Sequence, residues 1–322
     1  MSAQTSKPLN LAFLGCGFAT SLHSKTVSRI DRSVRRFYAS RDKEKAATYN
    51  RKFSGAGFFD SYSAAINSAE IEVVLVATPP AQHLSLTLQS LQAGKHVIVE
   101  KPPFLHSSDF EKMKEESKKA DRKVLVAENY HYKPLAAKLR EILKQGMIGE
   151  VLFLHLNALK RQKTGDWRDD TSLAGGGALL EGGIHWINFA ANLGFKLEDI
   201  GGLRPGQGNG MDRSYLITMK YSEGPVGALY YSWEIPSILK GLRISRIYGK
   251  EGSVTFESNG LLIIVNGKRK KILFPGFSDI AGYKAMFRDF FESLRTGKEP
   301  LYTPELAKRD LELVETIYSS TK

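Results

Sequence analysis

Short runs rich in β-branched and other apolar residues, at 9–14, 73–77, 96–99 and 124–127, recur through the first part of the chain with helical stretches between them. Runs of this length and composition are those buried on both faces of a parallel sheet. The stretch between two of them, 81–93, sets Leu84, Leu88 and Leu91 on one helical face. Residues 34–39 add a further strand candidate, weakened by the pair Arg35-Arg36. Strands alternating with helices imply a doubly wound parallel sheet over residues 1–127.

Beyond that point the pattern changes. A helical stretch at 133–145 stops at Gly146. Longer strand candidates with hairpin punctuation follow at 150–159, 214–221, 226–233, 242–248, 253–256, 261–265 and 270–274. Two helices, at 283–294 and 304–318, close the chain. This predicts a second domain over residues 128–322, of α+β class with a largely antiparallel open sheet.

The first strand runs into Gly15-Cys16-Gly17-Phe18-Ala19-Thr20, which opens a helix. Glycines there let the backbone turn sharply and approach a pyrophosphate, while the helix N-terminal amides point at the anion. The last position is Thr20 where glycine or alanine is usual, and its hydroxyl is offered as a phosphate contact. The end of the second strand selects the dinucleotide. Ser40 and Arg41 can donate to a 2′-phosphate and favour NADP over NAD, whereas Asp42, one step on, would restore a preference for NAD if it stood in their place.

The segment Ala77-Thr78-Pro79-Pro80-Ala81-Gln82-His83, followed by residues 93–102 with Glu100-Lys101-Pro102 at their end, resembles the glucose-fructose oxidoreductase / inositol dehydrogenase / rhizopine-catabolism (Gfo/Idh/MocA) family. So does the later stretch Asp166-Trp167-Arg168 and then 175–188, with Glu181, His185 and Asn188 spaced i, i+4, i+7. The resemblance covers essentially the whole chain. It implies an NAD(P)-dependent dehydrogenase or reductase acting on CH–OH groups of a sugar, cyclitol or related polyol. A catalytically weak cofactor- or sugar-sensing regulatory protein of the same fold is the alternative.

The residues make chemical sense beside that label. Moving a hydride to or from a carbinol needs one group for the hydroxyl proton and another to hold the oxygen. Lys101 stands just past a strand, at the carboxyl edge where such sheets bind ligands, and could hold the substrate oxygen. The resemblance implies that role and a cis bond before Pro102. It gives His185 the acid/base role, with Glu181 orienting His185 or the substrate. Thr78, Pro79, His83, Glu100 and Lys101 join Gly15, Gly17, Phe18, Ala19 and Thr20 as expected cofactor contacts, although by chemistry His83 suits capping or packing. Tyr130, Trp167, Arg168 and Asn188 complete the expected substrate contacts. The family commonly has aspartate at both the Glu181 and the Asn188 positions.

Other functions fit less well. Net charge is +12, which favours an anionic substrate. The densest basic run, Lys268–Lys271 by position 268–271, reads as a solvated hairpin strand and no nucleic-acid motif accompanies it. No metal site is expected, because Glu181 and His185 have no evident third ligand. One cysteine, a polar leader over residues 1–8 and the lack of a long apolar run point to a cytoplasmic protein without a membrane span. The resemblance implies a homodimer or homotetramer formed through the open sheet, on a face expected to carry Leu229, Tyr231 and Trp233.

Overall fold

In a computed structural model, residues 8–206, 210–236 and 241–321 of the chain are described. The leader, apart from Pro8, lies outside them. Contacts divide the chain into two units: Met1–Glu128 with Tyr283–Lys308, and Asn129–Gly282 with Arg309–Lys322.

The first unit runs β1 (Leu9–Leu14), α1 (Phe18–Ile30), β2 (Val34–Ala39), α2 (Lys43–Lys52), β3 (Gly57–Phe59), α3 (Tyr62–Asn67), β4 (Val73–Val76), α4 (His83–Gln92), β5 (His96–Glu100), α5 (Asp109–Ala120) and β6 (Val124–Ala127). Its six strands lie in the order β3-β2-β1-β4-β5-β6 and every neighbouring pair is parallel. All four residues of β4 and of β6 are buried, as the apolar runs require. The order reverses between β1 and β4, the switch point at whose carboxyl edge ligands of such sheets bind. Local chemistry sets the helix starts. The Asp42 carboxylate accepts from the Lys45 amide at 3.1 Å, and the Ser61 hydroxyl from the Ala64 amide at 3.1 Å.

The second unit continues with α6 (Pro134–Lys144), β7 (Val151–Leu159), α7 (Thr171–Ala174), a π-helical turn Leu179–Gly183, α8 (Ile184–Ala191), then β8 (Leu197–Leu203), β9 (Ser214–Tyr221), β10 (Val226–Ser232), β11 (Ile244–Gly249), β12 (Gly252–Glu257), β13 (Ile263–Asn266) and β14 (Lys270–Leu273). The eight strands lie in the order β14-β13-β12-β11-β7-β10-β9-β8. All pairs are antiparallel except β7 with β10. One face of this sheet is buried, with Leu154, Leu156, Leu229, Tyr231, Ile217, Ile247 and Phe256 among its side chains. Phe189 of α8 meets Phe256 there, ring centroids 6.2 Å apart.

Two helices end the chain, α9 (Tyr283–Thr296) and α10 (Pro304–Ser320). α9 belongs to the first unit, which amends the simple division after residue 127. Its Phe287 ring stands edge-on to His23 of α1 at 5.1 Å, and Met286, Phe290 and Phe291 are buried with it. The residues Arg309–Lys322, at the end of α10, belong to the second unit.

The expected outward set Leu229, Tyr231 and Trp233 is corrected. Those side chains are 0%, 2% and 2% exposed, so they face the core. The other phase of the strand, Val226 and Tyr230, is the exposed one. Replacing Leu229 by alanine should therefore destabilise the protein by about 2–5 kcal/mol, read as a lowered urea midpoint with an unchanged slope.

Candidate active site

In the first unit, the loop after β1 is built around Gly15. Its φ of +105° suits glycine, and an added Cβ would stand 2.7 Å from the Ala77 carbonyl oxygen. The loop is therefore pressed against the end of β4. Gly17, the N-cap of α1, faces open space: nothing lies within 4 Å of an added Cβ. That space and the first amides of α1 suit a pyrophosphate. Phe18 beside it is 81% exposed and Ala19 half-buried. At the end of β4 the Thr78 hydroxyl is buried without a protein partner, a group that a bound ligand would satisfy; Pro79 follows it. Cys16 is also buried, and burial pushes its thiol up to about 11, so it is no nucleophile.

Thr20 needs correction. It is fully buried, and its hydroxyl donates to the Gly15 carbonyl at 2.5 Å. The threonine closes the turn internally and does not reach a phosphate. At the end of β2, Ser40 is buried and its hydroxyl accepts from the Asp42 amide at 3.1 Å, while Arg41 is exposed. The Asp42 carboxylate is committed to capping α2. Arg41 is thus the exposed cation at the end of β2, with the capping carboxylate of Asp42 beside it.

Lys101 follows β5 directly, is half-buried, and its bond to Pro102 is cis. Glu100, expected to touch the cofactor, is instead engaged on both oxygens: one pairs with His23 of α1, the other accepts from the Lys101 amide at 3.1 Å. Burial alone would raise the Glu100 pKa, but the His23 charge and hydrogen bond outweigh it and hold the carboxyl below its usual range. His83 is likewise engaged within the protein. It is 1% exposed, with Nδ1 2.8 Å from the Pro102 carbonyl oxygen and Nε2 2.8 Å from that of Thr78. Burial lowers its pKa, opposed by those two carbonyls.

In the second unit, the π-helical turn carries Glu181 into α8, which carries His185 and Asn188. His185 is half-buried in an otherwise buried stretch, and its ring stacks on Tyr130 with centroids 4.6 Å apart. The Lys133 ammonium lies 4.2 Å from the centroid of the same Tyr130 ring. Glu181 accepts from Arg168 Nε at 3.2 Å. Arg168 also donates to Asp166 at 2.6 Å and lies over Trp167, its guanidinium carbon 4.6 Å from the ring centroid. Two carboxylates thus share one guanidinium.

Asn188 is corrected from substrate contact to core residue. It is wholly buried, and its amide donates to Asp310 of α10 at 2.6 Å. Asp310 is itself 0% exposed. Aspartate at 188 would set two buried carboxylates against each other, which accounts for the departure from the family's usual residue. His23, Lys133 and Asp310 went unrecognised in the sequence. Only His23 left a signal, lying one turn beyond Thr20 on a helix that opens from a glycine loop. Among the described residues no group of three or more His, Cys, Asp or Glu could hold a metal.

The two glycines should separate under substitution. Gly15→Ala should destabilise the fold by about 1–3 kcal/mol or more. Gly17→Ala should leave stability within about 0.5 kcal/mol yet weaken dinucleotide binding roughly tenfold. Thermal melts and fluorescence titration with NADPH check both.

Residues 9–128 match the family model described as an oxidoreductase family with an NAD-binding Rossmann fold, and residues 136–255 match the GFO/IDH/MocA C-terminal domain. The chain is 26% identical to levoglucosan dehydrogenase of Pseudarthrobacter phenanthrenivorans over 313 residues, 88% of this chain and 80% of that protein. It is 34% identical to D-glucoside 3-dehydrogenase of Escherichia coli over 194 residues, 59% of this chain and 55% of that one. The solved structure of levoglucosan dehydrogenase in complex with NADH and levoglucosan superposes with a TM-score of 0.85 at 21% identity, covering 98% of this chain and 97% of the other; it shows the shared fold. With its glycine loop, its lysine beyond β5 and both halves matched, the chain belongs to the Gfo/Idh/MocA family of NAD(P)-dependent oxidoreductases.

Proposed function

We propose that the protein transfers a hydride between NADP and a secondary hydroxyl, or the matching carbonyl, of a neutral sugar or related polyol. The observation that carries this reading is Lys101, set one residue past β5 with its amide held by Glu100, on the same sheet whose first loop suits a pyrophosphate. The cofactor supplies the hydride acceptor or donor when bound. Gly15, Gly17, Phe18 and Ala19 form its pyrophosphate cradle, Thr78 and Pro79 border it at the end of β4, and Ser40 with Arg41 reads the 2′-phosphate.

Lys101 polarises the reacting oxygen with its ammonium and makes the hydroxyl easier to ionise. His185 exchanges the hydroxyl proton, its ring plane set by the Tyr130 stack. Glu181 and Trp167 bind substrate hydroxyls, and Arg168 orients Glu181 rather than gripping an anion, since Asp166 and Glu181 already share its charge. For this reason the substrate is taken as neutral despite the chain's positive charge. The relatives are named dehydrogenases, of levoglucosan, D-glucosides and D-xylose, which favours a catalyst over a sensor.

Two further expectations belong to this reading. The single buried thiol, and no helix among the described residues long and apolar enough to cross a membrane, accord with a cytoplasmic enzyme. The exposed side of the second unit's sheet is the surface for a homodimer or homotetramer. There Phe153 stands opposite Tyr248 on one side and Val226 on the other. These three residues are 55%, 37% and 42% exposed, and they form a continuous apolar stripe over three strands.

Steady-state assays with NADP and NAD over a panel including levoglucosan, methyl glucosides and D-xylose should show turnover favouring NADP. Lys101→Met should lower kcat by about a hundredfold or more while NADPH binding persists; unchanged turnover would remove Lys101 from the mechanism. Phe153→Arg should convert the oligomer to monomer in sedimentation velocity.

A further inference from the structure

We infer that His83 is a positioning residue that holds the Lys101 segment to the start of α4 by donating from Nδ1 to the Pro102 carbonyl, and that this contact sets the reactivity of Lys101. This rests on the catalytic role proposed for Lys101.

Four observations carry it. His83 is 1% exposed, so it touches no substrate. Both of its ring nitrogens nevertheless lie 2.8 Å from main-chain carbonyl oxygens, which belong to different connections at the carboxyl edge of one sheet. A carbonyl only accepts, so a neutral ring with one N–H donates to one of them, and that proton is assigned to Nδ1. Thr78 lies just past β4, and Pro102 just past Lys101. On the other side of the lysine, the Glu100 carboxylate accepts the Lys101 amide and pairs with His23. The lysine main chain is therefore fixed from both flanks, by the buried His83 and the largely buried Glu100. Lys101 has a long, flexible side chain, and fixing its root is the means available to limit where the ammonium can go. A residue needed only to fill space at this point would have no use for a buried N–H aimed at a carbonyl.

The two nitrogens can be tested separately. An asparagine amide nitrogen takes the place of Nδ1 and can donate to the Pro102 carbonyl. A glutamine amide nitrogen takes the place of Nε2 and can donate to that of Thr78. Wild type, His83→Leu, His83→Asn and His83→Gln are compared with NADP and either levoglucosan or D-xylose. His83→Leu should lower kcat by about a hundredfold while the KM for NADP changes by less than about threefold. His83→Asn should recover most of kcat and His83→Gln should not. Amide exchange read by mass spectrometry at Lys101 and Phe104 should follow the same order, slow in wild type and His83→Asn, fast in His83→Gln and His83→Leu. Equal kcat values for the asparagine and glutamine proteins, full activity of His83→Leu, or an asparagine protein that fails to fold would each overturn the assignment. Should wild type turn over neither sugar, the functional reading fails first, and the exchange order alone then decides whether His83 holds this segment.

Discussion

One largely buried carboxylate joins the glycine loop's helix to the strand that ends before Lys101. Glu100 ends β5, and a charge in that position is costly unless it is paired and hydrogen-bonded. His23 supplies the pairing from α1, the helix that opens from the glycine loop. The Lys101 amide supplies the second bond. The helix whose amides face the phosphate space is thereby tied to the strand that presents the lysine. α9 closes over the outer side of this link, setting Phe287 and Tyr283 edge-on against the His23 ring. These rings keep water from the pair and so preserve its electrostatic strength.

The sequence was most readable where one pattern admitted one structure. Residues 9–14, 34–39, 124–127 and 214–221 were expected as strands and form β1, β2, β6 and β9 with those bounds. β8 was not foreseen, because Glu198, Asp199, Gly201 and Gly202 hide it. Gly202 is there so that Ile317 of α10 can lie close against the strand. β3 has only three residues and offers no periodicity at all. In β10 both alternating sets are apolar, so period two locates the strand but cannot say which set turns inward.

The site was legible as residue types and less so as commitments. The glycine loop, the lysine after β5 and the histidine of α8 stand where the motifs put them. Thr20, His83, Glu100 and Asn188 carry the right chemistry for ligands, but each has found a partner within its own unit. Such partners lie far away in the chain: Asp310 is 122 residues from Asn188. α9 illustrates the same limit. Its apolar face announces that it is covered, yet nothing local says that the cover is α1.

The parallel pairing of β7 with β10 inside an otherwise antiparallel sheet carries a further consequence. Parallel neighbours cannot be joined by a tight hairpin, so the chain must leave the sheet and return from the opposite end. Residues 160–196 make that excursion before the chain re-enters the sheet at β8, and Trp167, Arg168, Glu181 and His185 all ride on it. The strands on either side form a frame that the excursion can vary without disturbing. Evolution could therefore reshape the recognised sugar by editing one detour, leaving the dinucleotide half and the sheet's hydrogen-bond ladder as they are.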